Sequence, residues 1–111
     1  MTMGHHIIAS LRGCSINLIN NTSRLNSLLN QVVIEANFHK VGEISTIIKE
    51  DTLSSFVLLS ESHISIYSNP ENGHVELDVF CCSGEDSARL AINSLIKHLN
   101  PESHQVKEIP R

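Results

Sequence analysis

Two stretches of the chain repeat apolar residues at helical spacing, and between them the spacing shortens to every second residue. Leu25, Leu28, Leu29, Val32, Val33 and Ala36 form one stripe, with Arg24, Asn26, Asn30 and Glu35 off it. That pattern predicts an amphipathic helix, and the polar run Asn20-Asn21-Thr22-Ser23 ends in a good N-cap for it. Ala88, Ala91, Ile92, Leu95, Ile96 and Leu99 form a second stripe. Ser83-Gly84-Glu85-Asp86 offers a capping box ahead of it, and Asn100-Pro101 ends it. Strands are predicted for His5 to Arg12, Val41 to Lys49, Leu53 to Ser60, His63 to Ser68 and His74 to Cys81, although Gly42 weakens the start of the second. The last of these sets Val75, Leu77 and Val79 against Glu76, Asp78 and Phe80. Lys49-Glu50-Asp51 reads as a polar turn and Asn69-Pro70-Glu71-Asn72-Gly73 as a strong one. His104 to Ile109 adds an edge strand. The order is β-α-β-β-β-β-α-β. Helices with one apolar face need a sheet to cover, so the fold class is α+β: a two-layer sandwich, mainly antiparallel, with both helices on one face. Phe56 and Phe80 fall in predicted core strands and are expected to pack internally.

Composition narrows the function without choosing it. The chain has 111 residues and 41% hydrophobic content, which suits one small domain over 1–111 with a real core. No apolar run approaches ~18 residues, so no membrane span is expected. The start, Met1 to His6, lacks the cationic and apolar regions of a signal peptide, which suggests the cytoplasm. A net charge of −4, scattered basic residues, a single tyrosine and no tryptophan argue against nucleic-acid binding. Cys14, Cys81 and Cys82 are an odd number of cysteines, which favours thiols over a disulfide framework. The seven histidines show no ligand spacing, so no metal is expected.

The most informative segment is Leu59-Ser60-Glu61-Ser62-His63. The apolar run Phe56 to Leu59 leads into it and the alternating Ile64 and Ile66 lead out. A serine held rigidly between two strands can attack its own peptide bond. Ser62 Oγ would add to the Glu61 carbonyl and shift the acyl group from nitrogen to oxygen. Loss of the Ser62 α-proton would then expel the Glu61 carboxylate. The dehydroalanine left behind tautomerises and hydrolyses to a pyruvoyl group with loss of ammonia. A pyruvoyl carbonyl forms a Schiff base with an amine substrate and acts as the electron sink for decarboxylation. A nearby thiol or histidine suits the proton return that follows. Taken alone, a Ser-Glu-Ser turn is ordinary, Cys82 at a strand end reads equally as a small hydrophobe, Ser54 as strand polarity and Glu71 as a solvated turn residue.

The segment resembles the processing region of prokaryotic S-adenosylmethionine decarboxylases, a pyruvoyl-dependent family. The resemblance rests on Leu59 to His63, then Asn69-Pro70-Glu71-Asn72-Gly73, then Asp78-Val79-Phe80-Cys81-Cys82. His6, Gly13-Cys14, Phe38-His39-Lys40 and Ser54 extend it more weakly. It implies self-cleavage into a β chain, 1–61, and an α chain, 62–111. Ser62 would become the pyruvoyl group and Glu61 would end the β chain. Cys82 would return the proton during turnover, Ser54 would hydrogen-bond the strained carbonyl, and Glu71 would hold the substrate ribose. It implies a homodimer in which Ser62, Glu61 and Cys82 of one protomer meet Ser54, Tyr67 and Glu71 of the other. The activity implied is decarboxylation of S-adenosylmethionine for polyamine (spermidine) biosynthesis.

Departures from the family pattern keep alternatives open. Tyr67 stands where relatives have a histidine thought to act in the elimination, and His63 or His74 could substitute. Asn69 replaces a tryptophan, Val41 a phenylalanine, and Ala9-Ser10-Leu11-Arg12 stands where a glutamate and a tyrosine are usual. The alternatives are an arginine or ornithine decarboxylase on the same scaffold, or a non-enzymatic paralogue that has lost processing.

Overall fold

The computed structural model describes residues 4–48, 52–82 and 84–111. It orders the chain as β1 (His5–Arg12), α1 (Ile16–Ile19), α2 (Thr22–Glu35), β2 (Lys40–Ile47), β3 (Leu53–Leu59), β4 (Ser62–Asn69), β5 (His74–Cys81), α3 (Glu85–Leu99) and β6 (Ser103–Pro110). The strands form one sheet in the order β2-β3-β4-β5-β1-β6, antiparallel at every pairing. α3 packs on β1 and β5, α2 on β2 and β3, and the two helices touch each other. The α+β two-layer architecture with helices on one face is therefore the one the hydrophobic pattern predicts.

Alternation along the central strands explains the layers. Ile7, Val57, Ile64 and Val79 lie in register across four strands, and all are essentially inaccessible. They meet Leu25, Leu29 and Val32 of α2 and Ala88, Ala91 and Leu95 of α3 in one core. Each fully buried aliphatic side chain contributes about 1.5–3 kcal/mol relative to exposure. Asn21 caps α2 by accepting the Arg24 N–H at 3.0 Å. α3 carries Glu85 and Asp86 in its first turn and Lys97 and His98 in its last, both complementary to the helix dipole.

Several details differ from expectation. α1 has no counterpart in the periodicity, being a four-residue turn of helix that buries Ile19. α3 begins after Gly84, at φ 130° and without a side-chain cap; Ser83, expected to open a capping box, lies outside the described residues, as does the turn predicted for Lys49-Glu50-Asp51. Phe56 and Phe80 do not pack internally. Val57 and Val79 occupy the covered row, so the adjacent phenyl rings point to the helix-free face, where Phe56 is 39% exposed. The register across that open face runs Ser54–Tyr67–Glu76–Ser10 in one row and Leu58–His63–Phe80–His6 in another.

Candidate functional site

At one end of the sheet, Ser60 and Glu61 form the whole β3–β4 turn. A two-residue connection forces an unusual backbone, and Glu61 adopts it at φ 65°. For an L-residue with a side chain, that left-handed conformation costs roughly 1–2 kcal/mol. The Glu61 carbonyl accepts the Cys82 backbone N–H at 3.3 Å. The turn is tied down from β2's side by the Ser60 N–H donating to His39 O at 2.9 Å. Ser62 does not sit in the turn as expected. It opens β4, pairs with Cys81 and is 7% exposed. Cys82 follows β5 and is exposed, whereas Cys14 and Cys81 are buried. Burial pushes the Cys14 thiol up to about 11, so it stays protonated at neutral pH.

At the opposite end, Ser54 and Tyr67 are cross-strand partners on the open face. The β4–β5 turn there presents Glu71, exposed, with its N–H donating to Asn69 Oδ1 at 3.2 Å. That turn is fixed against the end of β1, since Cys14 N–H donates to Gly73 O at 3.0 Å. Gly73 is needed there: its φ is +68°, and a Cβ would sit 3.0 Å from Cys14 O. Beside Tyr67, Glu76 accepts a hydrogen bond from Ser10 Oγ at 2.7 Å, and its other oxygen lies 2.5 Å from His74 Nε2.

The structure thus gathers Glu61, Ser62 and Cys82 at one end and Ser54, Tyr67 and Glu71 at the other. Ser62 and Tyr67 are separated by five residues of β4, about 16 Å at ~3.3 Å per residue. One protomer does not bring all six together.

A polar cluster between the two ends was not anticipated from the sequence. Asp78 Oδ2 lies 2.7 Å from His6 Nε2 and 3.1 Å from His63 Nε2, while Ser65 Oγ donates to Oδ1. Burial alone would raise the Asp78 pKa, but the hydrogen bonds from Ser65, His6 and His63 outweigh it and hold the carboxyl below its usual range. The His63 ring stacks on Phe56 at 5.3 Å and on Phe80 at 6.0 Å between centroids. Arg111 covers Phe80 and points a guanidinium N–H at His6 Nδ1, 3.4 Å away. That contact leaves Nε2 as the protonated nitrogen that serves Asp78. The ligand atoms of His6, His63 and Asp78 lie within 4.8 Å of one another, a spacing compatible with a cation. As they stand, the Asp78 carboxylate is served by His6, His63 and Ser65. Period-two alternation could have placed these residues on one face, but their pairing depends on register.

The chain matches the S-adenosylmethionine decarboxylase family over residues 5–111. It is 32% identical to S-adenosylmethionine decarboxylase proenzyme 2 of Halalkalibacterium halodurans, over 99% of this chain and 87% of that protein. With the proenzyme of Archaeoglobus fulgidus it shares 34% identity over 95% and 94% of the two chains. The crystal structure of the Aquifex aeolicus adenosylmethionine decarboxylase superposes with a TM-score of 0.93 at 31% identity, covering 99% of this chain and 91% of that one. The protein belongs to the S-adenosylmethionine decarboxylase family, and is a carboxy-lyase of that class. Nothing in these comparisons supports the arginine or ornithine alternative or the processing-deficient paralogue. Among the described residues no helix is long and apolar enough to cross a membrane.

Proposed function

We propose that the chain cleaves itself between Glu61 and Ser62, converts Ser62 into a pyruvoyl group, and decarboxylates S-adenosylmethionine in sites shared by two copies. The observation that carries this reading is the Glu61 backbone: a left-handed residue, its carbonyl held by a fixed N–H, immediately before a buried serine. A fixed donor on the attacked carbonyl stabilises the oxyanion that forms when Ser62 Oγ adds. Collapse breaks the Glu61–Ser62 C–N bond and leaves an ester. Removal of the Ser62 α-proton then breaks the Cβ–O bond, and the electron pair departs with the Glu61 carboxylate. Tautomerisation and water complete the change with release of ammonia.

Once formed, the pyruvoyl group supplies the electron sink for loss of carbon dioxide from a bound amine substrate. The exposed Cys82 is the proton donor to the product carbon. Ser54 hydrogen-bonds the strained carbonyl, and Tyr67 donates a hydrogen bond beside it. A phenol, with a pKa of about 10 in water, makes a poor base. Glu71 takes the ribose hydroxyls. On this reading the protein serves polyamine (spermidine) biosynthesis in the cytoplasm.

The separation of the two half-sites supports a homodimer. If two sheets meet by their open faces, ~10 Å apart, about a two-fold axis running across the strands, each Ser62 end approaches the partner's Ser54 end. The open face suits that role. It exposes Ile44, Phe56, Leu58 and Tyr67, and the Asp78 carboxylate at its centre already has its partners in His6, His63 and Ser65. Phe56, 39% exposed on this face, offers a ring on which the adenine can stack. Stacking a base on a ring is worth roughly 1–3 kcal/mol.

Mass spectrometry tests the reading directly. The purified protein should yield fragments 1–61 and 62–111, the second blocked at its N-terminus, and Ser62→Ala should stay whole. Carbon dioxide should be released from S-adenosylmethionine and not from arginine or ornithine. An intact wild-type chain after prolonged incubation would refute self-processing.

A further inference from the structure

We infer that His74 is the base that removes the Ser62 α-proton during self-processing, held in place by Glu76 and Ser10. This rests on the two-copy reading above. In that reading the Ser54–Tyr67–Glu71 end meets the partner's Ser62, and neither Ser54 nor Tyr67 supplies a basic atom there. Among the described residues, one imidazole there has a usable nitrogen. His74 lies directly after the β4–β5 turn, opposite Asn69, on the same open face as Tyr67. Its Nε2 is 2.5 Å from Glu76 Oε2, and Glu76 Oε1 accepts the Ser10 hydroxyl at 2.7 Å. A carboxylate behind one imidazole nitrogen fixes the proton there and leaves the other as the basic atom. His74 Nδ1 has no hydrogen-bond partner among the described residues.

The other open-face imidazoles are poorer candidates. His6 has both nitrogens engaged, by Asp78 and Arg111. The His63 ring is clamped between two phenyl rings. In the shared site, His74 Nδ1 of one protomer takes the α-proton of the partner's ester-linked serine. The Cβ–O electron pair leaves with the carboxylate of residue 61, and the imidazolium formed is stabilised by Glu76. Glu76 and Ser10 are positioning residues and touch no reacting atom.

The experiment follows ester and pyruvoyl separately. Hydroxylamine cleaves an ester at residue 61 and leaves fragment 62–111 with a free serine amino group, whereas the finished α chain is blocked. In His74→Gln the ester should form but turn over at least about 100-fold more slowly, the usual scale for a lost general base. Glu76→Gln should slow the same step by about 10-fold while ester formation holds; Glu76 is half-exposed, so this variant folds. Adding Tyr67→His to His74→Gln should restore blocked α chain, because position 67 faces Glu76 across the strands. Blocked α chain appearing in His74→Gln at the wild-type rate would overturn the inference, as would arrest with no hydroxylamine-sensitive bond. A wild-type chain that never cleaves would instead defeat the parent reading, so the two failures are separable.

Discussion

The two faces of β4 are built from one run of eight residues and do different work. On one side Ile64, Ile66 and Ser68 lie under the helices, each at most 1% exposed. On the other, His63, Ser65 and Tyr67 stand on an uncovered surface, with Tyr67 50% exposed. The covered side is aliphatic apart from its serines, of which Ser68 donates to Ile19 O. The open side mixes aromatic rings, imidazoles and a carboxylate with large aliphatic groups that a free surface does not require. The covered face accounts for the fold and says nothing of the chemistry. The open face contributes little to one protomer's stability, and in the proposed dimer it is the surface that meets the second copy.

Deleting core volume gives the largest contrast. In a Ser62→Ala background, which keeps the chain whole, Ile64→Ala should cost about 2–5 kcal/mol, read from the urea midpoint. Leu58→Ala, one strand over on the open face, should cost less than about 1 kcal/mol when measured on dilute monomer. Equal losses at the two positions would erase the distinction between the faces.

A charge on the open face should act on assembly instead of folding. Leu58→Glu, at a residue 46% exposed, should leave circular dichroism unchanged and shift sedimentation from dimer to monomer. Desolvating an unpaired carboxylate between two sheets costs several kcal/mol, enough to raise the dimer dissociation constant by about 100-fold or more. Decarboxylase activity should fall with the dimer. Mixing Cys82→Ala with Glu71→Ala should recover part of the activity, since one hybrid site keeps both residues. Absence of rescue would mean that each site lies within one chain.

The same contrast explains what the sequence could disclose. β1 and β5 match their predicted bounds, because alternation and turn residues mark both ends. The two long helices were legible from their stripes. Phe56 was misplaced because Phe56-Val57-Leu58-Leu59 is continuously apolar, and such a run carries no phase of its own. The hairpin fixes the phase by pairing Val57 with Ile64. The quoted motifs named the candidate residues, and the structure places Glu61, Ser62 and Cys82 at one end of the sheet and Ser54, Tyr67 and Glu71 at the other. The Asp78 cluster and the Ser10–Glu76–His74 chain were not legible. Their members come from strands distant in sequence, and only the antiparallel register makes them neighbours.

The smallest effect to seek concerns the turn that joins the two faces. Glu61 holds φ 65° with a side chain, while the Cys82 N–H anchors its carbonyl. Glycine adopts this conformation without the Cβ penalty, but it also gains freedom in the unfolded chain. With Ser62→Ala in both proteins, Glu61→Gly should therefore raise stability by only about 0.5–1 kcal/mol, a few degrees in Tm. In the Ser62 chain, the same change should slow ester formation by about 2–5-fold, because strain relieved in the ground state no longer assists the acyl shift. Greater stability with unchanged cleavage would mean that the left-handed backbone only shapes the hairpin. In that case the activation would rest on the Cys82 N–H and on the partner's residues.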